Sequence, residues 1–281
     1  MSRNDRYFIN GIVRALKPRK ILEAGVAHGG GSAIILNAIQ DIDGAKLYSV
    51  DYSEKSFAFP DKLTGFVVEE YFPDFMDKWQ IFRGGDVSRF IEKIGGDIDL
   101  FMLDTVHTHP WETLNFLCVL PFMKNDSWVV LHDITTFISP HFRHSLACGY
   151  LFAAAVSDAK VVPAADKGSI LPNIGAFKVS EITSQYIDGL FRMLLLPWNM
   201  RVPEKDLADI TRIIDEKYPA SCSKTFHDAL TVQEYMFSHP RDRHSVMKGW
   251  LQQKAGASLY QFLQKIARGL RRIWPSFLRT L

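Results

Sequence analysis

Short apolar runs that alternate with helix-like segments are the feature that most constrains the fold of this chain. Over the first 180 residues, runs rich in β-branched residues are separated by segments whose apolar residues recur at helical spacing. Such alternation favours an α/β fold, in which helices cover both faces of a mostly parallel, doubly wound sheet. Strands are predicted at residues 19–24, 45–50, 79–83, 97–103, 127–131, 160–162 and 174–179.

Helical patterns alone follow residue 180. We therefore predict a ligand-binding α/β domain over residues 1–180 and a helical extension over residues 181–281. Over the whole chain, helices are predicted at residues 32–42, 111–123, 141–156, 182–196, 204–218, 230–237 and 251–274.

The composition excludes several other classes of protein. Of 281 residues, 47% are hydrophobic and 23% are charged, which is typical of a soluble globular chain and not of a disordered or fibrous one. The three cysteines are an odd number without a CxxC spacing, so buried or free thiols in a reducing cytoplasm are expected. The first residues are polar and lead into no signal-type apolar segment, and no apolar run reaches 18 residues. We therefore expect a cytoplasmic protein.

A glycine-rich turn follows the first predicted strand. Residues 23–32 read Glu-Ala-Gly-Val-Ala-His-Gly-Gly-Gly-Ser and lead into a predicted helix. Glycines allow a ligand to approach the backbone, and the start of the helix offers free N–H groups to it. Asp51 ends the next strand, where a carboxylate can accept both hydroxyls of a ribose. This layout predicts a nucleotide-type cofactor without distinguishing NAD from S-adenosylmethionine.

The turn resembles the first motifs of class I S-adenosylmethionine-dependent methyltransferases, which have Glu-x-Gly-x-x-x-Gly followed by an acidic residue after the second strand. The chain has Ala27 where that family usually has glycine. The resemblance covers about residues 7–180 and implies a Rossmann-like, seven-stranded sheet. It also implies S-adenosylmethionine as cofactor, with Glu23 near its methionine amino group and Asp86 facing its adenine. The full implied cofactor-binding set is Glu23, Gly25, Ala27, Gly29, Ser32, Asp51, Asp86 and Asp104.

Acidic residues and histidines follow the fourth and fifth predicted strands, at Asp104, His107, His132 and Asp133. This pattern resembles the subfamily of macrolide-sugar and cephalosporin-pathway O-methyltransferases, which use a divalent cation. By that resemblance, Asp104 and Asp133 would bind Mg²⁺ or Mn²⁺, with His132 as a further ligand, and His107 would be the general base. Characterised members carry a carboxylate where this chain has His132, and imidazole suits Mn, Fe or Zn better than Mg.

Transfer of a methyl group to a hydroxyl requires a proton acceptor and is assisted by a cation. A hydroxyl is a poor nucleophile until its proton is removed, and a histidine can accept that proton while a cation lowers the hydroxyl pKa. The resemblance implies O-methylation of a hydroxylated small molecule, such as a sugar or glycan, with Asp104 and His107 as catalytic residues. Structural roles stay open, because Asp104 could close a turn, His107 could cap the next helix and His132 could bond a neighbouring strand. An NAD-type oxidoreductase and a catalytically silent nucleotide-binding scaffold are the alternative functions.

The charge is unevenly distributed along the chain. No Asp or Glu follows Asp242, whereas eight basic residues do; the first 242 residues carry 25 basic and 31 acidic side chains. Apolar residues recur at helical spacing over residues 259–279, among basic ones. This tail predicts either docking on protein, including a second copy in a homo-oligomer, or peripheral contact with an anionic membrane. Nucleic acid is not expected as a partner, because no nucleic-acid-binding motif accompanies the charge.

Overall fold

The computed structural model describes residues 1–239. Its strands are β1 (Lys20–Ala24), β2 (Lys46–Asp51), β3 (Trp79–Arg83), β4 (Ile98–Leu103), β5 (Met123–His132), β6 (Lys160–Val161) and β7 (Ile174–Lys178). They form one seven-stranded sheet in the order β3-β2-β1-β4-β5-β7-β6. The first five strands pair in parallel, and β7 pairs antiparallel with both β5 and β6. The Rossmann-like, mostly parallel fold predicted from the sequence is confirmed.

Helices lie before, between and after the strands. They are α1 (Arg3–Leu16), α2 (Gly30–Ile39), α3 (Phe66–Tyr71), α4 (Val87–Ile94), α5 (Trp111–Val119), α6 (Ala147–Ala154), α7 (Glu181–Gln185), α8 (Asp188–Met193), α9 (Glu204–Lys217) and α10 (Ala220–Ser238). Short 3₁₀ turns lie at Pro73–Lys78, Leu120–Phe122, Thr136–Ile138 and Pro140–Phe142.

The central strands are buried on both faces, as their continuous apolar runs require. Ile21, Leu22 and Leu47 are fully buried, and the apolar side of α2, including Ile35 and Leu36, packs into the same core. Burial of this apolar surface drives the association of the helices with the sheet. The three cysteines are free thiols, and all are buried, as expected.

By their contacts, residues 1–230 form a first compact unit, and the described residues 231–239 fall outside it. Within the first unit, helix α9 packs against α4 and α5. Tyr218, just after α9, donates from its hydroxyl to the Leu117 carbonyl of α5 at 2.6 Å. The functional division of the chain into residues 1–180 and 181–281 stays a prediction.

Some predicted elements differ from those observed. The sequence analysis missed α1, although Ser2 and Asp5 form a capping box, the usual start signal of a helix. The single helix predicted over residues 141–156 is wrong: Pro140 begins a separate 3₁₀ turn, the N–H of Ser145 bonds to the Phe142 carbonyl at 2.8 Å, and α6 begins only at Ala147. The helix predicted over residues 182–196 is divided into α7 and α8.

The basic tail at residues 259–279 lies outside the described residues, so its docking or membrane role stays a prediction. In the part of the chain that is described, the search for a helix with the length and apolar character needed to cross a bilayer found none.

Gly25 is the backbone position where a side chain is least tolerable. Its φ is +90°, and a Cβ built there would lie 1.8 Å from the Asp104 carbonyl oxygen. We expect Gly25→Ala to lower the free energy of unfolding in urea by at least about 2–3 kcal/mol, because either the turn or β4 must move.

Gly11→Ala is the matched control. Gly11 lies within α1, and a Cβ there would meet nothing within 4 Å. Alanine at this exposed helical position should raise stability by about 0.5–1 kcal/mol. Equal stability changes for the two variants would contradict the close approach at Gly25.

Candidate active site

The sheet order creates a crevice at the carboxyl ends of its central strands. Strand β1 pairs with β2 on one side and with β4 on the other, so the chain turns in opposite directions from β1 and β4. Ligands of open α/β sheets bind outside the carboxyl ends of the strands at such a switch point. The residues predicted from the glycine turn and from the acid–histidine pattern lie in the last residues of the strands or in the segments that follow them.

The glycine turn is held tightly at this switch point. The Gly25 N–H donates to the Val50 carbonyl at 2.9 Å, and the Asp104 N–H donates to the Ala24 carbonyl at 2.9 Å. Gly29 has a φ of +99° and precedes α2, whose start has no side-chain cap. Ala27, at the position where the resembled family has glycine, has a φ of +51°, a conformation that a small residue tolerates at some cost. The first N–H groups of α2 are thus available to a ligand.

Glu23 lies beneath this turn rather than at its open surface. Its side chain is 2% exposed and accepts hydrogen bonds from the hydroxyls of Ser32 at 2.5 Å and Ser49 at 2.7 Å. Burial raises the pKa of Glu23 to about 7 despite these two bonds. Glu23 and Ser32 therefore link β1, β2 and α2, and their predicted contact with a cofactor stays a prediction.

Asp51 organises the turn through its carboxylate. One oxygen accepts the N–H groups of Val26 at 2.8 Å and Ala27 at 3.0 Å, and the other accepts the N–H of Ser53 at 2.8 Å. Because a carboxylate oxygen accepts about two hydrogen bonds, the first oxygen is already filled, and the second remains able to receive a ribose hydroxyl. The neighbouring Tyr52 donates its hydroxyl to Asp206 of α9 at 3.0 Å, which ties the loop after β2 to the helical extension.

Asp86 lies after β3 and precedes α4. The side chain is buried and accepts the Ser88 hydroxyl at 2.7 Å. Burial raises the pKa of Asp86 to about 6. A buried carboxyl of this kind fits recognition of an amino group, and its contact with adenine stays a prediction.

The structure brings the four predicted residues of the acid–histidine pattern into one cluster. The His107 Nε2 atom lies 2.9 Å from Asp133 Oδ2 and 3.8 Å from Asp104 Oδ1. The His132 Nδ1 atom lies 3.1 Å from Asp133 Oδ2 and 3.4 Å from Asp104 Oδ1. Each carboxylate thus lies between two imidazole nitrogens.

His107 is held by its backbone as well as its ring. It has a φ of +58°, and its N–H donates to the Glu112 carboxylate through a short hydrogen bond. Burial alone would lower the pKa of His107, but the contact with Asp133 raises that pKa above its ordinary value. A neighbouring carboxylate thus stabilises the charged form of His107.

Sequence reasoning missed Glu112. It is fully buried in α5, accepts the Thr105 hydroxyl at 2.9 Å and has a pKa raised to about 7 by burial. The available signal was a carboxylate within an otherwise apolar helical run, because charged side chains are rarely buried without a specific partner. Glu112 shapes the loop that carries His107.

The Asp133 oxygen that faces away from the two histidines is also held by hydrogen bonds. One oxygen accepts the Asn173 amide at 2.6 Å and a short hydrogen bond from the Thr136 hydroxyl. Burial opposes the charged form, but contacts with His107 and His132 hold the pKa of Asp133 well below its usual range. The carboxylate is therefore ionised and presents its second oxygen to both imidazoles.

This donor set is suitable for a divalent cation. Ligand atoms of Asp104, His107 and Asp133 all lie within 4.8 Å of one another. His132 Nδ1 adds a buried nitrogen without a hydrogen-bond partner beside the same carboxylate oxygens. A second group, His107, Glu112 and Cys148, meets the same distance criterion, but both of its non-histidine members are buried in the protein interior. The residues predicted as ligands, Asp104, His132 and Asp133, therefore fit a cation.

Comparison with protein families identifies the domain. Residues 22–134 match the family model described as a methyltransferase domain. The chain carries a methyltransferase domain. The matched range begins in β1 and ends just after Asp133, so it contains both the glycine turn and the acid–histidine cluster. The class I methyltransferase assignment made from the sequence is confirmed, and the dinucleotide oxidoreductase is not favoured.

Several solved structures are similar to this methyltransferase domain. The O-methyltransferase TomG of Streptomyces achromogenes, involved in tomaymycin synthesis and solved with S-adenosylmethionine, shares 16% identity over 64% of this chain and 81% of its own, with a TM-score of 0.49. An O-methyltransferase of Bacillus cereus with S-adenosylhomocysteine shares 18% identity over 63% of this chain and 82% of its own, with a TM-score of 0.47. The methyltransferase PaMTH1 of Podospora anserina, also with S-adenosylhomocysteine, shares 14% identity over 64% of this chain and 80% of its own, with a TM-score of 0.48. Among curated proteins, no sequence match was found.

The raised pKa of Glu23 makes the stability of the methyltransferase domain depend on pH. The ordinary pKa of this carboxyl is 4.5 and its folded value is about 7, so the folded state holds the proton more tightly between these values. Stability contributed by the protonated form is present below about pH 4.5 and is lost as the pH rises through 7. We expect Glu23→Gln to remove this component, which is on the order of 3 kcal/mol.

Urea unfolding at several pH values between 4.5 and 8 measures this effect. Glu54→Gln, which alters a carboxylate on the exposed loop after β2, serves as the control and should keep the wild-type pH profile. An unchanged pH profile in Glu23→Gln would show that Glu23 is not the group responsible.

Proposed function

We propose that this chain is an S-adenosylmethionine-dependent O-methyltransferase acting on a hydroxyl of a sugar or a similar small polar acceptor. The observation that carries the proposal is the direct contact between the glycine turn and the acid–histidine cluster. Gly25 and Asp104 are in backbone van der Waals contact, and the Asp104 N–H bonds to Ala24. A methyl donor in the turn would therefore lie beside a group able to deprotonate an acceptor.

The charge of the crevice supports a cationic cofactor. Asp51, Asp104 and Asp133 all face the carboxyl edge of the sheet, and Glu23 lies just beneath it. S-adenosylmethionine carries a positive sulfonium and an ammonium group, which carboxylates attract, whereas the pyrophosphate of a dinucleotide would be repelled. Asp51 would accept a ribose hydroxyl through the oxygen that bonds to Ser53, and Asp86 would accept the adenine amino group. Gly25, Ala27 and Gly29 would allow close approach to the backbone.

The reaction needs an acceptor oxygen in line with the methyl carbon and sulfur. The His107 imidazole would take the hydroxyl proton as the oxygen forms its bond to the methyl carbon and the carbon–sulfur bond breaks. The products are the methyl ether, S-adenosylhomocysteine and protonated His107. Asp133 Oδ2, 2.9 Å from His107 Nε2, would stabilise the imidazolium that results. Asp104 would help to position the acceptor.

A divalent cation at Asp104, His132 and Asp133 would lower the pKa of the acceptor hydroxyl and orient its oxygen. The acceptor itself would lie among the loops that follow β4 and β5. Phe142, about half exposed in the second of these loops, offers a flat apolar face suited to a sugar ring.

Cofactor binding is tested with Asp51. We expect Asp51→Ala to weaken the binding of S-adenosylhomocysteine at least tenfold in isothermal titration, about 1.4 kcal/mol, because a ribose hydroxyl loses its hydrogen-bond acceptor. Asp43→Ala removes an exposed carboxylate before β2, at the opposite edge of the sheet, and should bind with wild-type affinity. Equal affinity of the two variants would remove the cofactor assignment.

The base is tested with His107. We expect His107→Gln to lower the turnover number about 10²–10⁴-fold while S-adenosylhomocysteine affinity stays within about twofold, because the cofactor does not contact the proton acceptor. The measurement is formation of S-adenosylhomocysteine with a panel of glycosides and sugar nucleotides. His141→Gln, in the 3₁₀ turn after β5, is the control. Full turnover in His107→Gln would exclude it as the base.

A further inference from the structure

A residue from the first helix reaches the acid–histidine cluster. Asp5 of α1 lies with its Oδ2 atom 3.2 Å from the Nε2 atom of His132, which is 127 positions later in the chain. Both side chains are buried, Asp5 at 3% exposure and His132 at 5%. A buried contact of this kind excludes water and fixes the orientation of the imidazole ring.

The start of α1 holds Asp5 in place. The Ser2 N–H donates to Asp5 Oδ2 at 2.7 Å, and the Asp5 N–H donates to the Ser2 hydroxyl at 3.1 Å. This capping box restricts the Asp5 side chain to one position. His132 Nε2 must carry a proton to bond with this carboxylate, since an unprotonated nitrogen would repel it.

The other ring nitrogen of His132 then faces the two carboxylates of the cluster. Nδ1 lies 3.1 Å from Asp133 Oδ2 and 3.4 Å from Asp104 Oδ1, yet it is buried without a hydrogen bond. Ligand atoms with metal bonds of about 2.0–2.2 Å lie roughly 3–3.5 Å apart around one cation. Both distances from Nδ1 therefore match the spacing expected between ligands of a single ion.

The contact between Asp5 and His132 has the arrangement that supports metal-binding histidines. Such a histidine commonly donates its second N–H to a carboxylate, which fixes the ring and makes the free nitrogen a better ligand. Mg²⁺ prefers oxygen ligands alone, whereas Mn²⁺, Fe²⁺, Co²⁺ and Zn²⁺ accept imidazole.

We propose that Asp5 is a positioning residue that orients His132, so that its Nδ1 joins Asp104 and Asp133 in binding a divalent transition-metal cation in preference to Mg²⁺. This inference rests on the cation site of the proposed function. It adds the first helix to the site and narrows the choice of cation.

The wild-type chain gives the first test. We expect Mn²⁺ to bind at least tenfold more tightly than Mg²⁺ in isothermal titration. The electron-spin-echo spectrum of bound Mn²⁺ should show a nitrogen-14 coupling that is lost or reduced in His132→Gln. Equal affinity for Mn²⁺ and Mg²⁺, or bound Mn²⁺ with the same nitrogen coupling in His132→Gln, would overturn the proposal.

The role of Asp5 is tested with Asp5→Asn, which keeps the size of the side chain and an acceptor for Ser2. Loss of a supporting carboxylate typically weakens metal binding 10–100-fold, and we expect a loss in that range. Asn4→Ala is the matched control, since Asn4 donates from its side chain to the Ala164 carbonyl and not to the cluster. It should keep wild-type Mn²⁺ affinity.

A purely structural role for Asp5 would lower the melting temperature of Asp5→Asn while leaving Mn²⁺ affinity unchanged, and this result would overturn the proposal. If Asp5→Asn does not fold, Ser2→Ala loosens the start of α1 that holds Asp5, because it removes the bond from the Asp5 N–H to the Ser2 hydroxyl. We expect this variant to bind Mn²⁺ measurably more weakly than the wild type.

Titration of S-adenosylhomocysteine separates the metal inference from the proposed function. Normal cofactor binding without any Mn²⁺ binding would overturn the metal inference alone, whereas loss of cofactor binding in the wild type would overturn the proposed function.

Discussion

The backbone contact between Gly25 and Asp104 is the constraint on which the site depends. A Cβ at Gly25 would overlap the Asp104 carbonyl, so the ends of β1 and β4 approach more closely than any other residue type would allow. That approach sets the glycine turn against the first residue of the acid–histidine cluster. Asp51 holds the same turn from β2 through the N–H groups of Val26 and Ala27. The glycine turn and the acid–histidine cluster are therefore joined by direct backbone contacts.

Charge balance is the second organising feature. Asp104 and Asp133 lie close together, and two ionised carboxylates at such a distance repel each other unless positive charge lies near them. His107 and His132 supply that charge when protonated. Asp5 approaches His132 from the far side, and together the three carboxylates raise the pKa of His132 far above its ordinary value, although burial alone would lower it. The cluster is thus an electrostatic network in which carboxylates and imidazoles stabilise one another's charged forms.

Sequence reasoning was accurate for local features and less so for long-range ones. Strands β1 to β4 lie within a residue of their predicted positions because buried parallel strands are continuous apolar runs. Strand β5 begins at Met123, earlier than predicted, because residues 124–126 are polar and exposed and show no apolar pattern. They lie in an irregularity of the β4–β5 register, between the pair Ile98–Met123 and the pair Leu100–Trp128. Glu112 and Asp5 were missed for a related reason. Each is a polar residue whose partner is set by packing, and the 127 positions that separate Asp5 from His132 leave no periodic signal.

The sequence by itself determined the class of fold, the glycine turn and the set of strand ends that carry acids and histidines. These follow from local rules, since burial pattern, turn chemistry and chain direction act over a few residues. Only the tertiary structure decided that Glu23 lies beneath the turn, bonded to Ser32 and Ser49. It also decided which nitrogen of each histidine faces a carboxylate, because ring orientation depends on groups that packing brings from distant parts of the chain.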